Sequence, residues 1–183
     1  MFHSIQLISF GVILGAFVAF SGTYAPRENA ESLVEVVNRH RSEHGLPPVA
    51  VSTSLTQVAQ AHVNDLQENR PDRGPCNLHS WSRSKSWTPC CYTERSPKDR
   101  CTWDKPREIT RMRYGGDGYE IAAWLSDPID AESALQLWKI SKGHHDIILN
   151  RGIWSNVRWR AMGAAMSENY AVVWFGTEAD GRE

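Results

Sequence analysis

The placement of the cysteines constrains this chain more than any other feature. All four, Cys76, Cys90, Cys91 and Cys101, fall in one stretch of a 183-residue sequence, and two of them are neighbours. An even count clustered in this way predicts two disulfides in a chain that folds outside the reducing cytosol. A bridge between Cys90 and Cys91 themselves is sterically poor, because adjacent α-carbons sit about 3.8 Å apart, whereas disulfides span roughly 4.4–6.8 Å. Each neighbour is therefore expected to pair outward, one with Cys76 and the other with Cys101, in an order the sequence leaves open. A four-cysteine zinc site is the competing reading, but the spacing lacks two separated, closely spaced cysteine pairs.

The N-terminus points to the same compartment. The first charged side chain is Arg27, and residues 7–20 are apolar apart from Ser9 and two glycines. That run is shorter than the about 20 residues a membrane-spanning helix needs. It fits the apolar region of a secretory signal peptide, with Ala19 and Ser21 as the small residues of a cleavage site. The expectation is a signal peptide over residues 1–21 and a secreted, extracytoplasmic chain with no stable membrane span after cleavage. An uncleaved anchor is the alternative, because no Lys or Arg precedes the apolar run.

What remains is one domain's worth of chain. A net charge of −1 argues against a nucleic-acid partner. The charge is uneven, however: residues 70–113 hold eleven Lys/Arg against five Asp/Glu. Such a face would attract anionic glycans or lipid headgroups, and a solvated loop with its own ion pairs is the plainer reading.

Periodicity organises the rest. Ser32 and Glu35 have the spacing of a capping box that opens a helix to about His44, with Leu33, Val36, Val37 and His40 as its buried stripe and Gly45 as its stop. Ser54 and Gln57 open a second helix to about Glu68, on whose apolar face His62 reads as a hydrogen-bonded core histidine. Residues 70–118 are aperiodic, and Trp81, Trp87 and Trp103 would give this disulfide-stapled insertion a small core of its own. Residues 119–125 fit a strand or a helix. A third helix runs from Asp130 to about Lys142 and stops at Gly143, with His144 and His145 just beyond it. Residues 159–166 and 170–175 are strands joined by a short hairpin. Ala161, Gly163 and Ala165 alternate along the first of them, so a helix is expected to press closely on that face.

In this order the elements resemble the SCP/CAP superfamily of cysteine-rich secretory, antigen 5 and plant pathogenesis-related proteins, in a bacterial-like form. The resemblance covers residues 32–176, nearly all of an expected domain over 30–178. It is carried by residues 38–46, by Leu55, Ala59 and His62, by Leu78, His79 and Ser80, by Trp138, Ser141 and His144, and by Tyr170, Trp174 and Gly176. It implies an α+β fold, a three-layer α-β-α sandwich around a small, mostly antiparallel sheet. It also implies a cleft holding two histidines and two acidic residues, where some members bind a divalent cation. His79 and His144 match the two histidines. The first acidic position falls on Glu120 or on Tyr119, depending on alignment, and Glu120 is preferred as the only carboxylate in reach. The second falls on Ser141, so at most three of the four groups are present.

The expected function is a secreted, non-enzymatic binding or effector module with a lipid, sterol, glycan or protein ligand. His79 and His144 would bind zinc weakly, with Glu120 completing or orienting the site; the plainer alternative is that these groups only hydrogen-bond one another. An extracellular, protease-like hydrolase using His79, Ser80, His144 and Glu120 is the alternative activity, although no nucleophile-elbow or oxyanion-hole pattern accompanies Ser80. An envelope-anchored structural protein is the third reading.

Overall fold

Apolar residues at helical spacing bury one side of α1 (Pro26–Glu43), where Leu33 and Val37 are fully covered. The computed structural model describes residues 26–93 and 99–180, so the expected signal peptide at 1–21 lies outside the described residues. Helix α1 begins at Pro26, a residue whose fixed φ suits a first helical position, so Ser32 and Glu35 lie inside the helix and do not cap it. Gly45, at φ +73°, turns the chain after it. Helix α2 (Thr53–Asn69) starts two residues earlier than the Ser54 box predicts. Its N-cap is Ser52, whose Oγ accepts the Leu55 N–H at 2.9 Å, and a parallel bridge between Val51 and Met162 holds that cap against the sheet.

The insertion at 70–118 contains two short helices, α3 (Asp99–Trp103) and α4 (Lys105–Thr110). The disulfides are Cys76–Cys91 and Cys90–Cys101, with Cα separations of 5.0 and 5.9 Å, so each adjacent cysteine does pair outward. The insertion's tryptophans do not form a separate core. Trp81 is 2% exposed and lies against His62 and Trp174 beneath α2, because the domain's own apolar face is the larger surface within reach. Trp103 packs instead on Tyr119. Several of the basic side chains are ion-paired within the loop: Arg100 and Arg107 share Asp104 and Asp117, and the buried Lys105 bonds Glu108 and the Thr88 carbonyl.

Residues 118–124 form strand β1 (Gly118–Trp124). Helix α5 (Ala131–Ile140) is capped by Asp130 and ends three residues before Gly143. Ser141 is extended, and a new helix, α6 (Lys142–Ile148), carries Gly143, His144 and His145 within it. Gly143 is therefore not a helix stop. Its φ is not positive, and the His145 N–H already reaches the Ser141 carbonyl at 2.9 Å. After a 3-10 turn at Gly152–Trp154 come β2 (Ala161–Met166) and β3 (Tyr170–Gly176). Trp159 precedes β2 and donates its indole N–H to the Ile147 carbonyl at 2.9 Å.

The sheet order is β1-β3-β2, antiparallel throughout. Alternation along β3 sends Ala171, Val173 and Phe175 to the face packed by α1 and α5, and Val172 and Trp174 to the face packed by α2. The architecture is thus an α-β-α sandwich. The first turn of α2 lies so close to β2 that a Cβ on Gly163 would fall 2.1 Å from the Leu55 carbonyl carbon and the Thr56 nitrogen, both backbone atoms. Gly163→Ala should therefore force α2 off the sheet and destabilise the domain by about 1–3 kcal/mol or more. The check is a lowered midpoint in urea relative to Ala164→Gly, which opens space on the other face.

Candidate functional site

Strand alternation sends two neighbours of β1 in opposite directions. Tyr119 goes to the α1 side, against Trp103, Trp154 and Trp159. Glu120 goes to the α2 side and is nearly fully buried. There its two oxygens are taken by two rings: Oε1 accepts from His62 Nδ1, and Oε2 accepts from His79 Nδ1 at 2.7 Å.

His62, on α2, is fully buried and stacked on Trp81 at 4.0 Å. Its other nitrogen, Nε2, meets the Ser80 carbonyl at 3.0 Å. Both ring nitrogens thus face acceptor oxygens, one of a carboxylate and one of a backbone carbonyl. It is thus the core histidine that its place on an apolar face predicts, and also the main partner of the site carboxylate. Burial alone would raise the Glu120 pKa. The charge and hydrogen bond of His62, reinforced by those of His79, outweigh it and hold the carboxyl at about 2.

His144 enters from α6 across the cleft, its ring centroid 6.1 Å from that of His79. Burial, and then the nearness of His79, push its pKa down to about 4, with Glu120 pulling the other way. The three residues expected in the cleft, His79, Glu120 and His144, are therefore brought together. The Glu120–His79 bond spends Nδ1 of that ring, leaving Nε2 as its remaining donor atom for a ligand. Ser141, in the place of a second acid, lies at the α5–α6 junction. The cleft has a volume of about 560 Å³, and its walls include Trp103, Tyr119, Ile147, Ile153 and Trp154. A larger hollow, about 770 Å³, lies apart from these histidines, beside Trp87, Arg111 and Arg113.

Ser80 is fully buried, and its hydroxyl is engaged with the Tyr92 backbone: Oγ accepts the N–H at 2.9 Å and reaches the carbonyl at 3.4 Å. The hydroxyl is thus built into the loop and does not bond a histidine.

A second group of histidines escaped the sequence reading. His40 and His44, one turn apart near the end of α1, meet His145 of α6. One ligand nitrogen from each lies within 4.8 Å of the others, so the group could hold a metal ion. The four-residue spacing of His40 and His44 was the available signal.

Two pH effects follow. The Glu120 pKa is depressed from 4.5 to about 2, so its contribution to stability is complete above 4.5 and is lost as the pH falls toward 2. The His144 pKa is depressed from 6.5 to about 4, so the unfolded chain takes up the proton first and stability falls between those values. His144→Ala should abolish the upper step, worth up to about 3 kcal/mol, in denaturation midpoints measured across pH. Glu120→Gln should cost about 3–5 kcal/mol at neutral pH, because it removes the buried carboxylate that both His62 and His79 bond.

The family profile described as the cysteine-rich secretory protein family, CAP, matches residues 34–175. No curated protein matches the chain in sequence. Among solved structures it is similar to an extracellular protein containing an SCP domain from Bacillus anthracis str. Ames, at 19% identity and a TM-score of 0.59, covering 90% of this chain and 45% of that one. It is also similar to a cysteine-rich secretory protein from Staphylococcus aureus subsp. aureus Mu50, at 16% identity and a TM-score of 0.55, covering 85% and 40% respectively. This chain thus spans less than half the length of either protein, and at these identities the likeness concerns the fold. With the profile spanning most of its length, the chain belongs to the CAP, or cysteine-rich secretory protein, family.

Proposed function

We propose that this chain is a secreted, non-enzymatic binding module whose cleft takes an amphiphile of the lipid or sterol class. One observation carries the reading: a cleft of about 560 Å³ walled by Trp103, Tyr119, Trp154, Ile147 and Ile153, with polar groups supplied by His79 and His144. Mostly apolar walls with a few convergent polar groups suit a ligand that has an apolar body and a polar end. The engagement of Ser80 with the loop backbone removes the nucleophile a protease-like reading needs. Export is supported by the apolar run at residues 7–20 and by the family's secretory character, and no described helix is long and apolar enough to cross a membrane. The proposal includes cleavage of residues 1–21, which an intact mass starting near Gly22 would establish.

A divalent cation fits the cleft only loosely. His79 Nε2 and His144 can supply two nitrogens, whereas both Glu120 oxygens are already held by imidazoles. Zinc bound here would complete its shell with water or with the ligand's polar end, and so would bind weakly.

The test is equilibrium binding of a fluorescent fatty-acid probe to purified protein, with unlabelled fatty acid and sterol as competitors. Saturable, competable binding is expected, with Trp154→Ala weakening it about tenfold, equivalent to roughly 1.4 kcal/mol. Trp87→Ala, in the other hollow, should leave it unchanged. Equal binding by wild type and Trp154→Ala would overturn the reading, as would glycan-array binding in the absence of lipid binding.

A further inference from the structure

His40 and His44 of α1 and His145 of α6 have no part in the cleft. We propose that His40, His44 and His145 form a second site, one that takes a divalent transition cation such as Zn²⁺, Cu²⁺ or Ni²⁺ and so clips α1 to α6.

Three observations support it. The first is the scaffold. His40 and His44 lie on one face of a helix, four residues apart, with ring centroids 4.5 Å from each other. The helix that brings His145 to them is firmly held. Ile148 and Leu149 are buried, and the buried guanidinium of Arg41 binds the Ile148 carbonyl and, at 2.8 Å, Asn150 Oδ1. Donor atoms fixed before a cation arrives are what a tight site requires.

The second is the disposition of ring nitrogens. His44 Nδ1 lies 2.9 Å from the His40 carbonyl oxygen and donates to it, which leaves Nε2 with its lone pair. His40 Nδ1 faces a Glu43 carboxylate oxygen at 3.5 Å, so its Nε2 is also left for another partner. A carbonyl or carboxylate behind the ring, on the nitrogen away from the metal, is the usual orienting arrangement of metal-binding histidines. His40 Nε2 and His145 Nε2 face each other at 3.0 Å. Two nitrogens on one tetrahedral zinc, each about 2.0–2.1 Å from it, stand roughly 3.3 Å apart, so the rings need open by only a few tenths of an ångström.

The third is access. His40 is buried, His145 half-buried and His44 exposed, so the group opens to solvent, where water can supply a fourth ligand. Three neutral imidazoles favour zinc, copper or nickel over magnesium or calcium. The nearby charges are mixed: Lys139 and Arg151 oppose a cation, Glu43 and Asp146 favour it. The site shares its helix with the cleft, for His144 faces His79 while its neighbour His145 faces α1.

The experiment is zinc titration of tag-free protein by calorimetry at pH 7.5, in a His144→Ala background that disables the cleft. One equivalent of zinc should still bind, and adding His44→Ala or His145→Asn should weaken it at least tenfold. His44 is exposed, so its removal should leave the circular dichroism spectrum unchanged. Bound zinc should also raise the melting temperature of the His144→Ala protein, but not that of the double variant. An unchanged isotherm after His44→Ala and after His145→Asn, or no zinc bound by the His144→Ala protein, would overturn the site and leave a hydrogen bond between His40 and His145. Identical binding by wild type and His144→Ala, lost with His44→Ala, would support this site while removing zinc from the cleft.

Discussion

The carboxylate of Glu120, held between His62 and His79, is the constraint on which the rest of the structure depends. The three residues of this contact come from three separate parts of the chain: the middle of α2, the start of the insertion and the edge strand β1. A charge in that position is tolerable only if an opposite charge and enough donors come with it. His62 supplies the charge, and Ser80 supplies the carbonyl that the far side of its ring requires. One ionic contact thereby fixes α2 on the sheet and folds the insertion back over Trp81. An apolar pair of similar shape could give equal or greater stability. It would not place the second imidazole, His79, at the cleft with one nitrogen spent and the other available.

The opposite wall depends on a break in a helix. Had α5 continued through Ser141, His144 and His145 would have followed its axis. Instead Ser141 is extended, α6 starts afresh, and two consecutive residues, about 100° apart around the new helix, turn toward different neighbours. Arg41 and Trp159 hold the carbonyls of Ile148 and Ile147 and keep the short helix from fraying. The histidine pair is positioned by α1 and by the approach to β2 as much as by its own helix.

Some of this was legible in the sequence because it follows from local geometry. The distance between adjacent α-carbons sends Cys90 and Cys91 to separate partners. The small residues Ala161, Gly163 and Ala165 announce a close neighbour, which is α2. Family-like order located His79, Glu120 and His144, and period-two alternation separates Tyr119 from Glu120 once residues 118–124 are known to be a strand. The break at Ser141 carried no Pro and no positive-φ Gly to announce it, and the nearby glycine drew the expected boundary to the wrong place. The bond between His62 and Glu120 joins residues 58 positions apart, beyond any periodic signal. The meeting of His145 with α1 depends on that unannounced break, so only two of the three histidines, the pair on one helix, could be seen. Trp81 looked like part of a local loop core because composition does not say which of two apolar surfaces a side chain will choose.

The two disulfides overlap at the adjacent cysteines, since Cys90 lies inside the span of Cys76–Cys91 and Cys91 inside that of Cys90–Cys101. Every peptide bond from Cys76 to Cys101 is thus bypassed by at least one sulfur bridge. A protease that cuts once anywhere in this stretch, including between the two neighbours, leaves both halves covalently joined. The nicked chain keeps His79 tethered on one side and Trp103 on the other. Bridges that overlap at a single node thus give this stretch a second covalent path, as a bypass does for a road with one closed section.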